Sequence, residues 1–163
     1  MQDRIQGRGD AGSPVSVHFV NNVLAAAASY IEEDPERARD VLAELGSFLS
    51  HRLRAPRLVS TAEELEHVAV YLRLEQARFP DRVAVELPKT AELPTARVAP
   101  GDVQVPLSAA LERWLGRGPG RVRVALRARG AGLDLQLDRP DAPGEAGERL
   151  RIGLGLPPAE NVA

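Results

Sequence analysis

The chain carries three histidines, His18, His51 and His67, and no cysteine. Thiolate catalysis, thiolate metal sites and disulfides are thereby excluded, which leaves imidazole as the side chain that changes protonation near neutral pH. The three rings sit in different company. His18 is followed one helical turn later by Asn22, with Ala25 and Ser29 nearby, on the least apolar face of its segment. Its ring is expected to be exposed, with a carboxamide placed to orient it. Small neighbours such as Ala25 and Ala28 leave room for a partner. His51 stands beside Arg52, and His67 stands amid Glu63, Glu64 and Glu66, so both read as solvated helix residues. Neither spacing makes a histidine metal site, and no metal is expected. His18 is the candidate reactive group, with Asn22 as its orienting partner.

These residues must be held by helices. Ser13-Pro14 is a helix start, with Ser as cap and Pro in the first turn. The helix is expected to run to about residue 33. It has two apolar stripes, Val17, Val20, Leu24, Ala27 and Ile31 on one side and Phe19, Val23, Ala26 and Tyr30 beside it. A helix with two such stripes must bury both, one against its own chain and one against a partner. Asp34-Pro35 repeats the start signal for a second helix ending near Arg54, and Thr61 with Glu64 resembles a capping box for a third, from about 62 to 78.

Beyond Pro80 the pattern changes. Residues 82–87 alternate as a strand does, a helix is expected from about Val103, and 121–129 and 133–138 alternate around a turn at Ala131-Gly132. The hairpin presents Arg121, Arg123, Arg127 and Arg129 to its wet side, where nearby acids are expected to balance them. Trp114 is read as a core anchor. The expected fold class is α+β: a disordered arm over 1–12, a helical hairpin or bundle over 13–79, then a small α/β unit over 80–163.

Composition narrows the function classes. The formal net charge is −2 with acids and bases intermixed, which offers no clustered cationic surplus for nucleic acid. No apolar run approaches the roughly 20 residues that span a bilayer, and Met1 to Gly12 lacks a signal-peptide core. A cytoplasmic protein without membrane insertion is expected.

Three motifs in order carry a resemblance. The first is Ser16-Val17-His18-Phe19-Val20-Asn21-Asn22; the second is Asp34-Pro35-Glu36-Arg37-Ala38-Arg39 leading to Phe48-Leu49. The third is Thr61-Ala62-Glu63-Glu64-Leu65-Glu66-His67-Val68, with Tyr71-Leu72, Glu75 and Ala77-Arg78-Phe79 after it. Together they resemble the LytS-type sensor histidine kinases, whose first motif is close to Asn-Pro-His-Phe-Leu-Phe-Asn. The Pro before the histidine and the second aromatic are replaced here. The resemblance places His18 at the phosphoacceptor position.

It continues, more weakly, into a truncated α/β sandwich of the histidine-kinase ATPase type. Where the family has Gln-Pro-Leu-Val-Glu-Asn-Ala, the chain has Gln104-Val105-Pro106-Leu107-Ser108-Ala109-Ala110, so the basic Glu is Ser108 and the magnesium-binding Asn is Ala109. Ala offers a hard cation no oxygen. A shifted register keeps Glu112 as the acid but puts Arg113 in place of the Asn. The Asp-x-Gly-x-Gly box keeps Asp138 but has Pro140 and Ala142 for its glycines. Gly153-Leu154-Gly155-Leu156 resembles the last Gly box, and the helix and strands that follow it in the family have no counterpart before Ala163.

The resemblance implies a two-component signalling protein. Asp138, Gly153 and Gly155 would mark a vestigial nucleotide site, with ATP and Mg2+ binding lost and no cofactor retained. The leading expectation is a dimeric histidine phosphotransferase or pseudo-kinase, joined through its first two helices. It would relay phosphate between response-regulator receiver domains through His18. The alternatives are an ATP-dependent kinase with divergent nucleotide boxes and a non-catalytic dimerisation module that regulates a kinase.

Overall fold

A computed structural model describes residues 16–142 and 144–154. Helix α1 spans Val17–Tyr30, capped by Ser16, whose hydroxyl accepts from the Phe19 amide at 3.4 Å. The arm expected over 1–12 and the start expected at Ser13-Pro14 lie outside the described residues. Helix α2 spans Pro35–Arg54, with Asp34 accepting from the Arg37 amide at 3.0 Å and Pro35 in the first turn, as the cap-plus-proline signal predicts. The short strand β1 (Val59–Ser60) leads into helix α3 (Thr61–Arg78). The capping box here is one residue earlier than expected. Ser60 and Glu63 form it, the hydroxyl accepting from the Glu63 amide and the carboxylate from the Ser60 amide. Thr61 and Glu64 are thereby released for other work: the Thr61 hydroxyl donates to the Ala96 carbonyl at 3.2 Å, and Glu64 turns inward.

Strand β2 (Val83–Glu86) follows a turn in which Asp81 adopts a positive φ of 63°. A 3-10 turn over Thr90–Glu92 precedes β3 (Arg97–Val98), which pairs antiparallel with β1 and ties the start of α3 to the approach of the next helix. Helix α4 (Gln104–Gly116) then crosses the molecule. Strands β4 (Val122–Arg129), β5 (Gly132–Asp138) and β6 (Glu148–Gly153) complete a four-stranded sheet in the order β2-β4-β5-β6. β2 runs parallel to β4, and the other neighbours are antiparallel. The architecture is α+β, with helices first and a small sheet unit after them. Strand β6 is legible only in retrospect, as Leu150, Ile152 and Leu154 alternating with Arg149, Arg151 and Gly153.

Arg129 pairs with Gly132, so the hairpin turn is Gly130-Ala131, one residue before the expected place. Gly130 has φ 57°, a left-handed conformation that costs glycine little. Leu133, Leu135 and Leu137 point into the core with Val122, Val124 and Leu126. The opposite face carries the arginines, and acids balance them: Arg123 with Asp138, Arg127 with Glu86, and Arg129 and Arg151 with Asp134. This is the solvated side that alternation predicts.

One cluster of buried side chains runs from Val23 through Phe48, Leu72, Leu111 and Trp114 to Leu154. Trp114 is the fully buried anchor, and its indole nitrogen donates to Glu148 at 2.7 Å. The carbonyls at the end of α4 are met by two guanidiniums, Arg82 on Leu115 and Arg139 on Trp114, and both reach Gly118. Cations at a helix C-terminus complement its dipole. Of the two stripes on α1, Phe19, Val23 and Tyr30 pack inward with Ala27. Val17 and Ile31 stay 73% and 58% exposed.

Candidate functional site

His18 is exposed on α1, and its Nε2 lies 3.0 Å from the Asn22 Nδ2 one turn on. An amide nitrogen donates and does not accept. In this arrangement Nε2 is therefore the acceptor, and the ring proton belongs on Nδ1. The pair expected from spacing alone is brought together. It keeps Nε2 free of a proton, the requirement for a histidine nucleophile, and the lone pair becomes available to an electrophile when the Asn22 amide turns aside.

The ring stands at the edge of a cleft of about 470 Å³ between the helices. Each helix contributes chemistry. From α1 come His18 and Phe19, and from α2 come Phe48 and Arg52. Helix α3 adds Tyr71, Glu75 and Arg78. One face of α4 adds Gln104, Ser108 and Glu112, spaced at successive turns. The floor is aromatic: Phe19 lies 5.5 Å from Phe48 and 5.6 Å from Tyr71, centroid to centroid.

Sequence reasoning missed the polar centre of this cleft. Glu75 is buried, and Arg78 Nη1 donates to its two oxygens at 2.8 and 3.1 Å. Burial raises the Glu75 carboxyl above the ordinary range, while Arg78 and the Tyr71 hydroxyl pull it back. Burial and the same carboxylate push the Tyr71 phenol upward. The signal was an acid set among Leu72, Leu74 and Ala77, a charge where the pattern calls for an apolar residue.

Two histidines need correction. His67 is not solvated. It is 3% exposed and stacked between Phe48, at 4.7 Å and 8°, and His51, at 4.2 Å and 23°. His51 is half-buried, not fully solvated. The flanking acids misled: Glu63 caps its own helix and Glu64 is buried, so they do not share a wet face with His67. His67 instead continues the inner row of Glu64, Tyr71 and Glu75 at helical spacing. Desolvation, with help from His51 and Arg52, lowers its pKa from 6.5 to about 3.

The sequence pattern of the family described as Histidine kinase matches residues 13–83. The sensor histidine kinase BtsS of Escherichia coli K12 is 31% identical over 131 residues, which is 80% of this chain and 23% of that protein. The sensor protein LytS of Bacillus cereus is 34% identical over 99 residues, 60% of this chain and 17% of that protein. LytS of Staphylococcus saprophyticus is 36% identical over 93 residues, 56% of this chain and 16% of that protein. The chain belongs to the LytS-type sensor histidine kinase family. It spans less than a quarter of the length of these curated relatives.

Within that family frame, the structure separates the expected nucleotide residues. Gln104, Ser108 and Ala109 line the same cleft as His18. Ser108 spends its hydroxyl proton on the Val105 carbonyl at 2.9 Å, and Ala109 offers only a methyl group. Asp138 lies on the far face of the sheet, its carboxylate held by Arg123 at 2.8 to 3.3 Å. Gly153 ends β6 opposite Gly132, and neither it nor Asp138 borders the cleft. Gly155 lies outside the described residues. Among the described residues no group of three or more His, Asp or Glu side chains is arranged to hold a metal ion, and no helix is long and apolar enough to cross a membrane.

Proposed function

We propose that this chain is a dimeric histidine phosphotransferase of two-component signalling, which relays phosphate between receiver domains through His18. The observation that carries this reading is the exposed His18 with its proton-free nitrogen on Asn22. The helix facing it across the cleft bears Ser108 and Ala109 where a kinase needs a base and a magnesium ligand. Asp138 is committed to Arg123. ATP with Mg2+ therefore does not fit the residues present, and the donor is an aspartyl phosphate carried by a response regulator. The Asn22 amide turns aside, the Nε2 lone pair attacks phosphorus, the bond to the aspartyl oxygen breaks, aspartate leaves as carboxylate, and the phosphorylated ring releases its Nδ1 proton to water. The reverse step delivers the phosphoryl group to a second aspartate.

The test is phosphotransfer in vitro. Incubation with a phosphorylated receiver domain is expected to leave acid-labile phosphate on the chain. His18→Ala is expected to abolish it, and magnesium-ATP alone is expected to give none. Label that persists in the Ala variant would remove His18 from the reaction. Label from ATP alone would restore the autokinase reading. A receiver that never transfers to the intact protein would leave the non-catalytic dimerisation module.

The dimer is supported by apolar side chains that the fold leaves uncovered on the first two helices. Val17, Leu24 and Ile31 along α1 and its cap, and Leu42 on α2, are exposed, and Leu53 is 83% exposed. Val17, Leu24 and Ile31 recur every seven residues along α1, and an exposed apolar stripe of this kind marks association. Leu24→Asp is expected to convert the dimer to a monomer, seen as a halved mass in light scattering, with the helical signal retained. An unchanged mass would place the interface elsewhere.

A further inference from the structure

The transfer step leaves without a role a half-buried cation of the cleft, Arg78. Arg78 sits on the last turn of α3, and its guanidinium is fixed on several sides. Glu75 holds Nη1 through both carboxylate oxygens. The Phe79 ring lies 4.9 Å from the guanidinium carbon, and the Phe19 ring 5.6 Å. Phe19 is the residue next to His18. The Arg78 side chain is 16% exposed and that of Glu75 is 5% exposed.

The pairing is incomplete in an informative way. Guanidinium carries five N–H donors, and a carboxylate on Nη1 engages one nitrogen. Among the described residues nothing accepts from Nη2 or Nε of Arg78. Those nitrogens form a planar fork, the geometry that matches phosphoryl oxygens. A half-buried arginine that served only to neutralise Glu75 would gain most by offering both prongs of that fork to it. Here the fork is left for another anion, inside the cavity that His18 also lines.

We propose that Arg78 is the phosphoryl-binding residue of the cleft, positioned by Glu75 and the two phenylalanine rings to receive the oxygens of the phosphoryl group on His18. This rests on the reading of His18 as phosphoacceptor. Arg52 borders the same cavity and adds a second positive charge. Glu112 and Glu75 oppose an anion there, so the placement of the fork matters more than the net charge.

The experiment uses phosphoramidate, a small phosphoryl donor that modifies imidazole without a partner protein. The full chain is treated with it, and phosphohistidine is followed by phosphorus NMR as pH is varied. His18→Ala identifies the His18 signal. A nearby cation favours the doubly ionised phosphoryl group, so its titration midpoint is expected about one pH unit lower in the intact protein than in Arg78→Met. Arg78→Lys, which keeps the charge without the fork, is expected to fall between them. Circular dichroism confirms that each variant is folded, and Arg78→Lys carries the test should Arg78→Met unfold. Equal midpoints in the intact protein and in a folded variant overturn the assignment to Arg78 while His18 stands. The absence of any His18-dependent signal overturns the phosphoacceptor reading itself, and the Arg78 proposal with it.

Discussion

Replacing Glu64 with Ala is expected to cost the fold about 3–5 kcal/mol, the range for stripping one partner from a buried charged network. The side chain is wholly inaccessible and reaches from α3 to the start of α4. Its carboxylate accepts from the amides of Gly101, at 3.0 and 3.1 Å, Val103, at 3.0 Å, and Gln104, at 3.2 Å. Helix α4 has no side-chain cap of its own, so Glu64 supplies from another element what Ser or Asp supplies elsewhere. It also places a negative charge at the positive end of the helix dipole. Without it, three amides lose their acceptor in a dry place, each worth about 1–3 kcal/mol before relaxation. Glu64→Gln keeps an oxygen but turns an amide group toward the same donors, and should fall between Ala and the native residue. Urea unfolding followed by Trp114 fluorescence checks the order. A loss below about 1 kcal/mol for Ala, the value of an ordinary surface contact, would show that water replaces the carboxylate.

The second large effect is a dependence on acid. His67 has its pKa lowered to about 3 in the fold, against 6.5 in the unfolded chain. The unfolded chain thus binds the proton more readily, and protonation favours unfolding. The full stability conferred by the neutral ring is present above pH 6.5, and it is lost as pH falls from there toward 3. The slope approaches about 1.4 kcal/mol per pH unit, so going from pH 6.5 to pH 5 should remove about 2 kcal/mol. Glu63, Asp134 and Glu148 also titrate below their ordinary values, but their contributions fade only below the usual carboxylate range. Above the usual carboxylate range the other shifted group is Glu75, whose raised carboxyl works in the opposite sense, losing stability as pH rises, so it is the variant at His67 that isolates the histidine. His67→Phe keeps a flat ring against Phe48 and gives up no hydrogen bond through Nε2, which has none. Urea midpoints at pH 5 and 7.5 should converge in this variant and stay apart in the native chain. An unchanged separation would assign the acid sensitivity to other groups.

Local signals in the sequence were reliable where the energetics are local. Asp34-Pro35 marks the start of α2, and His18 and Asn22 meet because residues four apart on a helix are neighbours. Reading failed where a side chain serves a distant element. Glu64 looks like half of a capping box, yet its partners lie 37 to 40 positions away. His67 looks wet because its neighbours in sequence are acids, yet the face it occupies is set by α2. The cleft itself is a product of four helices meeting, and no window of sequence contains it. Asp138 kept its residue type, but strand alternation turns it to the far side of the sheet, away from α4.

The parallel pairing of β2 with β4 bears on the order in which the chain can assemble. Val83 meets Val122 across the whole α4 crossover, a closure of about 40 residues whose entropy must be met before any contact returns it. The α1 and α2 hairpin and the β4-β5-β6 meander close over far shorter loops. They can form early, leaving β2 as a strand in waiting. The amides at the head of α4 reach Glu64 across a second closure of similar length, 37 to 40 positions. Sheet completion and the capping of α4 thus both wait on contacts between distant parts of the chain, which slow assembly relative to the local hairpins.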